Sequence, residues 1–367
     1  MYVIALQASS ASTANQGLSQ LVGLTYILFF TLSIITELKM DPVEKAVLGS
    51  SGLAVTRLGL GCAAIGGLYG DIPDEQAVQV VHRAFQLGLN LVDTAPLYGA
   101  GKSEKRLGLA LKEVPRDSYI LASKVGRILV PTEAGESDGG IFENPPPFKP
   151  VFDYSYDGVM RSFEDSLKRL GVDRIDILHI HDPDDHWEEA ISGAYPALER
   201  LRSEGVISAV SAGMNQWEML ARFAREGDFD CFLLAGRYSL LDQSSLDELL
   251  PLCVEKNIGI MAGGTYNSGI LAKGAQSGAK YNYGEAPPEI IAKAKGLEEV
   301  AARHQVDLKA AASQFVFAHP AITTIIPGTR QPDRVSENFN LLKEEIPADF
   351  WAELRSEGLI REDAPLP

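Results

Sequence analysis

Eight short apolar runs alternate with segments of helical pattern along this chain, and the alternation restricts the folds open to it. The runs fall at residues 58–65, 90–95, 119–125, 175–181, 207–214, 231–236, 258–264 and 322–327. Strands that alternate with helices are typical of a parallel sheet covered by helices on its outer face. Eight such units in a chain of 367 residues predict an α/β fold, a single (β/α)8 TIM barrel followed by C-terminal helices.

The chain before the first run divides into two parts. Between Lys45 and Leu60, KAVL and LAVTRL flank GSSG, which predicts a β-hairpin that plugs the N-terminal end of the barrel. Residues 1–39 are predicted to be a separate extension, with the barrel domain spanning 40–367. The apolar run 21–35 in this extension is 15 residues long, short of the roughly 20 that span a bilayer. A weak signal or anchor, a poorly ordered extension and a gene start placed too early remain open, the last being favoured.

Charge and cysteine content limit the partners. The chain carries 33 Lys and Arg against 49 Asp and Glu, a net charge of −16, which repels nucleic acid and anionic membranes. Its three cysteines are widely separated and form no CxxC motif, so neither a disulfide framework nor a zinc ribbon is predicted. We expect a cytoplasmic protein with a small-molecule substrate and no stable membrane association.

Polar side chains stand at the ends of three consecutive predicted strands. Asp93 ends the second strand, Lys124 the third and His181 the fourth, while Tyr98 follows in the loop after Asp93. Alternation along each strand predicts that these side chains face the barrel lumen. The carboxyl ends of barrel strands carry the chemistry of such folds, so all four groups are predicted to meet at one mouth.

This group of side chains suits hydride transfer at a carbinol or carbonyl carbon. A free tyrosine has a pKa of about 10, and a nearby ammonium would lower it by stabilising the phenolate. Lys124 is the candidate ammonium, Asp93 its ion-pair partner, and His181 a group that could orient the substrate oxygen. Three other interpretations are weaker: a metal-dependent hydrolase using His179 and His181, a Schiff-base aldolase using Lys124, and a non-catalytic nucleotide sensor.

Several motifs resemble those of the aldo-keto reductases, in the correct order: DTAPLYGAGKSEKRLG, LASKVGR, SFEDSLKRLGVDRIDILHIHDPD and IIPGTRQPDRVSENF. The resemblance covers roughly residues 45–345. It implies a barrel with a nicotinamide cofactor extended across its mouth, no metal, and a catalytic tetrad on Asp93, Tyr98, Lys124 and His181. His179 would then pack in the lumen. A monomer or weak homo-oligomer is expected.

The resemblance also implies a set of cofactor-binding residues. The GxGxxA match at Gly59–Ala64 is discounted as a dinucleotide fingerprint, because the helix that should open inside it is delayed. The residues assigned to the cofactor are Gly61, Cys62, Asn215, Tyr238, Tyr266, Asn267, Ser268, Gly269, Leu271, Gly328, Thr329, Arg330, Gln331, Arg334, Glu337 and Asn338. Gly328 stands where a lysine often pairs with the 2′-phosphate, while Arg330 and Arg334 are retained, so NAD and NADP both stay open.

Within the family, FENPPPFKPVFDYSYDGVMRS, HIHDPDD and GGTYNSGIL resemble the branch of D-threo-aldose 1-dehydrogenase (L-fucose dehydrogenase) and pyridoxal 4-dehydrogenase. The implied reaction is oxidation of the anomeric carbon of an aldose of the L-fucose, D-arabinose or L-galactose type to a lactone, with Tyr98 as general acid/base. Pyridoxal oxidation and general aldehyde or ketone reduction are the alternatives. The 27-residue segment 126–152 is predicted to be either a lid or a surface insertion.

Overall fold

Eight parallel strands follow one another in chain order around a barrel in the computed structural model, which describes residues 40–133 and 140–367. The barrel strands are Leu60–Gly61, Leu91–Asp93, Ile120–Val125, Ile177–His181, Ala209–Met214, Cys231–Ala235, Gly259–Gly263 and Ile322–Ile325. Single parallel bridges at Leu58–Ile325 and Gly61–Gly328 join the last strand to the first. The predicted (β/α)8 barrel is confirmed.

Helices connect the strands on the outside of the barrel. Those described are Asp74–Gln86, Lys102–Leu111, Tyr156–Leu170, Trp187–Glu189, Tyr195–Ser203, Trp217–Glu226, Leu249–Lys256, Ile270–Lys273, Pro288–His304, Leu308–Phe315, Pro332–Leu341 and Ala348–Ser356. None of the helices in the described residues is long and apolar enough to span a membrane.

Helix Tyr156–Leu170 shows how local chemistry sets the boundaries of an element. The Ser155 hydroxyl accepts a hydrogen bond from the Gly158 amide at its start, which satisfies an amide with no partner inside the helix. Gly171 ends the helix with a φ of 67°, a conformation that costs glycine little. Ser155 and Gly171 therefore set the two ends of this helix.

The N-terminal hairpin closes the end of the barrel opposite the strand termini that carry the polar groups. Lys45–Val47 pairs antiparallel with Ala54–Thr56, as predicted. Leu48 and Val55 are fully buried and share one apolar cluster with residues that begin barrel strands, such as Leu91 and Ile177. The carboxyl ends of the strands are therefore the open face.

Two long connections have more structure than their composition suggests. Arg127–Pro131 and Phe148–Phe152 pair as an antiparallel ribbon within the predicted lid or insertion. Part of that segment, 134–139, and the predicted extension 1–39 lie outside the described residues. The second connection, 265–288, contains a small hairpin of Lys280–Tyr281 and Gly284–Glu285. The unit Asp41–Pro367 is compact.

The helical segment 187–203, which follows the fourth strand, is divided by a wider helical turn at Ala190–Ala194. Pro196 lies just beyond this turn and has no amide hydrogen to donate into the helix, so the regular bonding pattern cannot run through it. The first barrel strand is also shorter than the predicted 58–65, since a tight turn at Ala64–Gly66 follows it directly.

Candidate active site

Asp93 and Lys124 form a buried ion pair at the carboxyl ends of the second and third barrel strands. The Lys124 Nζ donates to Asp93 Oδ1 at 2.5 Å, to Oδ2 at 2.6 Å and to the Thr94 carbonyl at 2.9 Å. The two side chains are only 2% and 1% exposed. Burial acts to raise the pKa of Asp93, but Lys124 and then His179 outweigh it and hold that pKa below its usual value.

Tyr98 extends from the loop after the second strand over this pair. The Lys124 Nζ lies 5.0 Å from the centroid of the Tyr98 ring. The His181 ring meets Tyr98 edge-on, with centroids 5.8 Å apart and planes at 87°. All four predicted tetrad side chains are thus brought together at one mouth. Phe142, from the connection after the third strand, covers the Tyr98 ring at 5.9 Å.

The electrostatic environment of Tyr98 differs from the expectation. Burial, followed by the charge of Asp93, raises the pKa of Tyr98 well above its usual value. We expected Lys124 to lower it, but the Lys124 ammonium hydrogens are directed to Asp93 and Thr94, and its charge is balanced by Asp93. In this state the tyrosine is held as a neutral phenol, which is the form that donates a proton.

His179 contacts the ion pair in addition to packing in the lumen. It is fully buried, its Nδ1 lies 2.7 Å from the Ser211 hydroxyl, and its Nε2 is 3.4 Å from Asp93 Oδ1. Ser211 lies directly opposite His179 in the pairing of the fourth and fifth strands. Burial lowers the pKa of both His179 and His181, so both rings are neutral near pH 7. Sequence reasoning missed Ser211, which strand register could have identified.

A cavity of about 710 Å³ opens beside Asp93 and Tyr98. The predicted cofactor residues that line it are Gly61, Asn215, Tyr266, Asn267, Ser268, Gly269, Gly328, Thr329, Arg330, Gln331, Arg334, Glu337 and Asn338. This volume lies within the usual range of about 300–1,000 Å³ for ligand sites. The backbone at Asn267, Ser268 and Gly269 has positive φ at three successive residues, so an unusual loop conformation forms one wall.

Three predicted cofactor residues are not on the wall of this cavity. Tyr238 is 1% exposed and packs against Phe315 and His319, with ring centroids 5.4 and 5.7 Å away. Cys62 and Leu271 are also buried outside it. Tyr283, at the tip of the small hairpin, is an aromatic side chain that does line the cavity, and sequence reasoning missed it.

Four cationic side chains line this cavity. Lys273 and Lys309 line it together with Arg330 and Arg334, and Glu337 forms ion pairs with Lys309 and Arg334. Neither lysine was predicted, because they belong to separate helices with no shared local pattern. These cations suit the phosphates of a dinucleotide by their charge.

The loop that forms the opposite wall is tied down by Arg106. Its Nε donates to Asp74 at 2.7 Å, and its other nitrogens donate to the carbonyls of Ile65 and Ile72 at 2.7 and 2.5 Å. Gly70 in this loop has a φ of 149°, a conformation that residues other than glycine rarely adopt, and the Arg330 guanidinium lies where a side chain at this position would project. Within the described residues, no three His, Cys, Asp or Glu side chains are grouped as metal ligands.

Comparison with known proteins places this geometry in a family. Residues 57–357 match the model of the aldo/keto reductase family. Pyridoxal 4-dehydrogenase of Microbacterium luteolum is 41% identical, over 86% of this chain and 98% of its own. D-threo-aldose 1-dehydrogenase of a Pseudomonas species is 38% identical, over 88% and 99%.

Comparison with solved structures gives the same family. The holo form of an aldo-keto reductase from Bacillus halodurans superposes with a TM-score of 0.69 at 26% identity, over 87% of this chain and 97% of that one. The chain therefore belongs to the aldo/keto reductase family and is an oxidoreductase.

Proposed function

We propose that this protein is an NAD(P)-dependent dehydrogenase that oxidises the anomeric carbon of an aldose to a lactone, with Tyr98 as general acid/base. The observation that carries the proposal is the meeting of Tyr98, His181 and the Lys124–Asp93 pair beside a cavity that four cationic side chains also line. The substrate class is supported by the named activity of the Pseudomonas relative and by the polar groups at the mouth.

The nicotinamide cofactor, when bound, accepts the hydride that leaves the anomeric carbon. The proposed roles of the chain's own residues follow from their contacts. His181, neutral and edge-on to Tyr98, donates a hydrogen bond to the substrate oxygen and fixes its direction. In the oxidation direction the phenolate of Tyr98 takes the proton of that oxygen as the hydride leaves the carbon, and in the reduction direction the neutral phenol returns it. Lys124 and Asp93 keep the floor of the site rigid and close to neutral overall.

The residues proposed to hold the cofactor divide between its two ends. Asn215 lines the cavity beside the reacting groups and donates to the Ala235 carbonyl at 2.9 Å, which fixes the direction of its amide. Arg330, Arg334 and Lys309 also line the cavity, and they would neutralise phosphate groups. These charges are compatible with both NAD and NADP.

Pyridoxal is the alternative substrate, because the relative from Microbacterium luteolum carries that name at a similar level of identity. General aldehyde or ketone reduction at the same site is a further alternative, as is a non-catalytic nucleotide-binding barrel. We also propose a cytoplasmic location, supported by three free and buried cysteine thiols, and a monomer or weak homo-oligomer.

Initial rates at the nicotinamide absorbance band test the proposal. The full chain is assayed with NAD and NADP separately against L-fucose, D-arabinose, L-galactose and pyridoxal. We expect reduction of the cofactor that depends on the sugar and disappears in Tyr98→Phe. Tyr156→Phe is a matched control, since that hydroxyl bonds Arg200 away from the barrel mouth.

Turnover of pyridoxal alone would move the assignment to the alternative substrate. Tight cofactor binding without turnover of these substrates, or of simple aldehydes with reduced cofactor, would favour the non-catalytic barrel. Full activity of Tyr98→Phe on the sugars would refute its role as general acid/base.

A further inference from the structure

A second, smaller cavity lies next to the cavity of about 710 Å³ that is proposed to hold the cofactor, which we call the cofactor cavity. Its volume is about 280 Å³, and we call it the mouth pocket. Its lining includes Arg127, Phe152, Asp182, Asp184, His186 and Gln216. Asn215 lines both cavities, so the mouth pocket adjoins the reacting groups. A substrate whose oxygen lies between Tyr98 and His181 would extend its remaining atoms into this pocket.

The wall of the mouth pocket is held in a fixed and strained conformation. Asp182 follows the fourth strand with a φ of 42°, a conformation that only a few non-glycine residues adopt readily. The Tyr154 hydroxyl hydrogen-bonds the carbonyls of His181 and Asp182 at 2.6 and 2.8 Å, which holds this turn in place. The pocket is therefore preorganised.

Charge in the mouth pocket is unevenly balanced. Arg127 pairs with Asp182 at 3.3 Å and lies over the Phe152 ring, so its charge is compensated. His186 hydrogen-bonds Glu189 outside the pocket. Asp184 and Asp185 also line the pocket, and neither has an ion pair within residues 40–133 and 140–367. The net charge of the lining is negative.

Asp184 also presents an acceptor without a donor. Its Oδ1 is buried and has no hydrogen-bond partner among the described residues. A buried carboxylate oxygen without a donor is costly. The other oxygen, Oδ2, is not enclosed in this way and also accepts no hydrogen bond within the described residues, so it is the oxygen that a hydroxyl of a bound molecule can reach. The pocket thus offers one strong acceptor inside a cavity that already carries excess negative charge.

We propose that the mouth pocket selects neutral polyhydroxylated substrates and rejects anionic ones, with Asp184 accepting a hydrogen bond from a substrate hydroxyl. This inference rests on the proposed function, since it assumes that the substrate reacts between Tyr98 and His181. Phosphorylated or carboxylated analogues of the substrate would bring a second negative charge beside Asp184 and Asp185 and bind poorly.

The test compares pairs of compounds that differ in charge. L-Galactose is paired with L-galacturonate, which has the same ring with a carboxylate at C6. Pyridoxal is paired with pyridoxal 5′-phosphate, which is measured as a competitive inhibitor because its phosphate ester removes the 5′-hydroxyl that closes the cyclic hemiacetal. Methylglyoxal, a three-carbon aldehyde too short to fill the pocket, is reduced as a readout of general competence. The variants are Asp184→Asn and, as a matched control on an exposed helix beside the pocket, Glu188→Gln.

We expect the wild type to prefer the neutral member of each pair that is turned over. In Asp184→Asn, kcat/KM for the neutral substrate should fall about 5- to 10-fold, because the asparagine amide still accepts a hydrogen bond but no longer carries the charge that strengthens it. The change should appear mainly as a higher KM. The ratio of kcat/KM for the neutral compound to kcat/KM for its anionic partner should decrease. Methylglyoxal reduction should not change, and Glu188→Gln should resemble the wild type with all compounds.

Equal turnover of neutral and anionic partners, or an unchanged KM in Asp184→Asn, would overturn the proposal for the pocket. Turnover of pyridoxal without L-galactose would overturn the aldose assignment alone, and the pyridoxal pair would then decide the pocket. Turnover of methylglyoxal without turnover of any sugar or of pyridoxal would overturn both the aldose assignment and the proposal for the pocket.

Discussion

Replacing Lys124 by methionine tests the central ion pair of the site. The substitution keeps much of the side-chain volume but leaves the Asp93 carboxylate buried, 2% exposed, without its main cation. Three hydrogen bonds of 2.5 to 2.9 Å are lost at once. Breaking a buried pair by removing one partner costs about 3–5 kcal/mol, and we expect the free energy of unfolding to fall by that amount at pH 7.

The reverse substitution, Asp93→Asn, leaves the ammonium without its counter-charge and should cost a similar amount. The double variant removes both charges, so it should recover at least about 2 kcal/mol relative to the sum of the single changes, because neither buried charge is left alone. Urea unfolding followed by far-UV circular dichroism measures all four proteins. Changes that simply add would refute a buried, mutually compensating pair.

Two controls sharpen this measurement. The exposed pair Arg200–Glu204 on one helix, at 2.8 Å, provides a surface cycle in which no coupling should be measurable. The second control is unfolding at low pH, because the pKa of Asp93 is lowered in the folded state. Its contribution is present above the pKa of the unfolded aspartate, about 3.9, and is lost as pH falls through the folded value. The advantage of the wild type over Asp93→Asn should persist at pH 5 and vanish only well below pH 4.

Three further predictions concern catalysis and the cofactor. Oxidation should accelerate with rising pH through the alkaline range while reduction stays level, because the raised pKa of Tyr98 keeps it protonated; a level oxidation profile would contradict this. Glu337→Gln should raise the ratio of kcat/KM with NADP to that with NAD about 5- to 10-fold by freeing Lys309 and Arg334, and an unchanged ratio would count against it. Arg106→Lys should raise the cofactor Kd about 10-fold in a fluorescence titration with little change in kcat, since lysine cannot span the groups that Arg106 holds; an equal Kd would refute the anchoring role.

The positions of the reacting groups could be predicted because they depend on short-range rules. Lys124 and His181 lie at the ends of their strands on the lumen side, where alternation by two places them. The pKa direction of Tyr98 could not be predicted in the same way. It depends on how deeply the ring is buried and on which acceptors surround Lys124, and both are set by contacts between distant segments.

In the cofactor cavity, too, local patterns predict some of the lining residues, while others depend on contacts between distant segments. Residues of the last motif, such as Thr329 and Asn338, line the cavity because one turn and one helix carry them together. Lys273 and Lys309 come from separate helices, and no local pattern indicates that they meet. Tyr238 was assigned from the resemblance to the family's motifs, but it packs into the apolar layer with Phe315 instead.

Charge is distributed so that the two cavities favour different molecules. The cofactor cavity carries Lys273, Lys309, Arg330 and Arg334, whereas the mouth pocket carries uncompensated carboxylates. In the binding mode that we propose, a dinucleotide is drawn towards these cations by its phosphates and repelled from the mouth pocket, which favours a single direction of binding. Because the Lys124–Asp93 pair between them is nearly neutral, it does not disturb this gradient. A neutral substrate is then the molecule best suited to the space that the dinucleotide leaves beside His181.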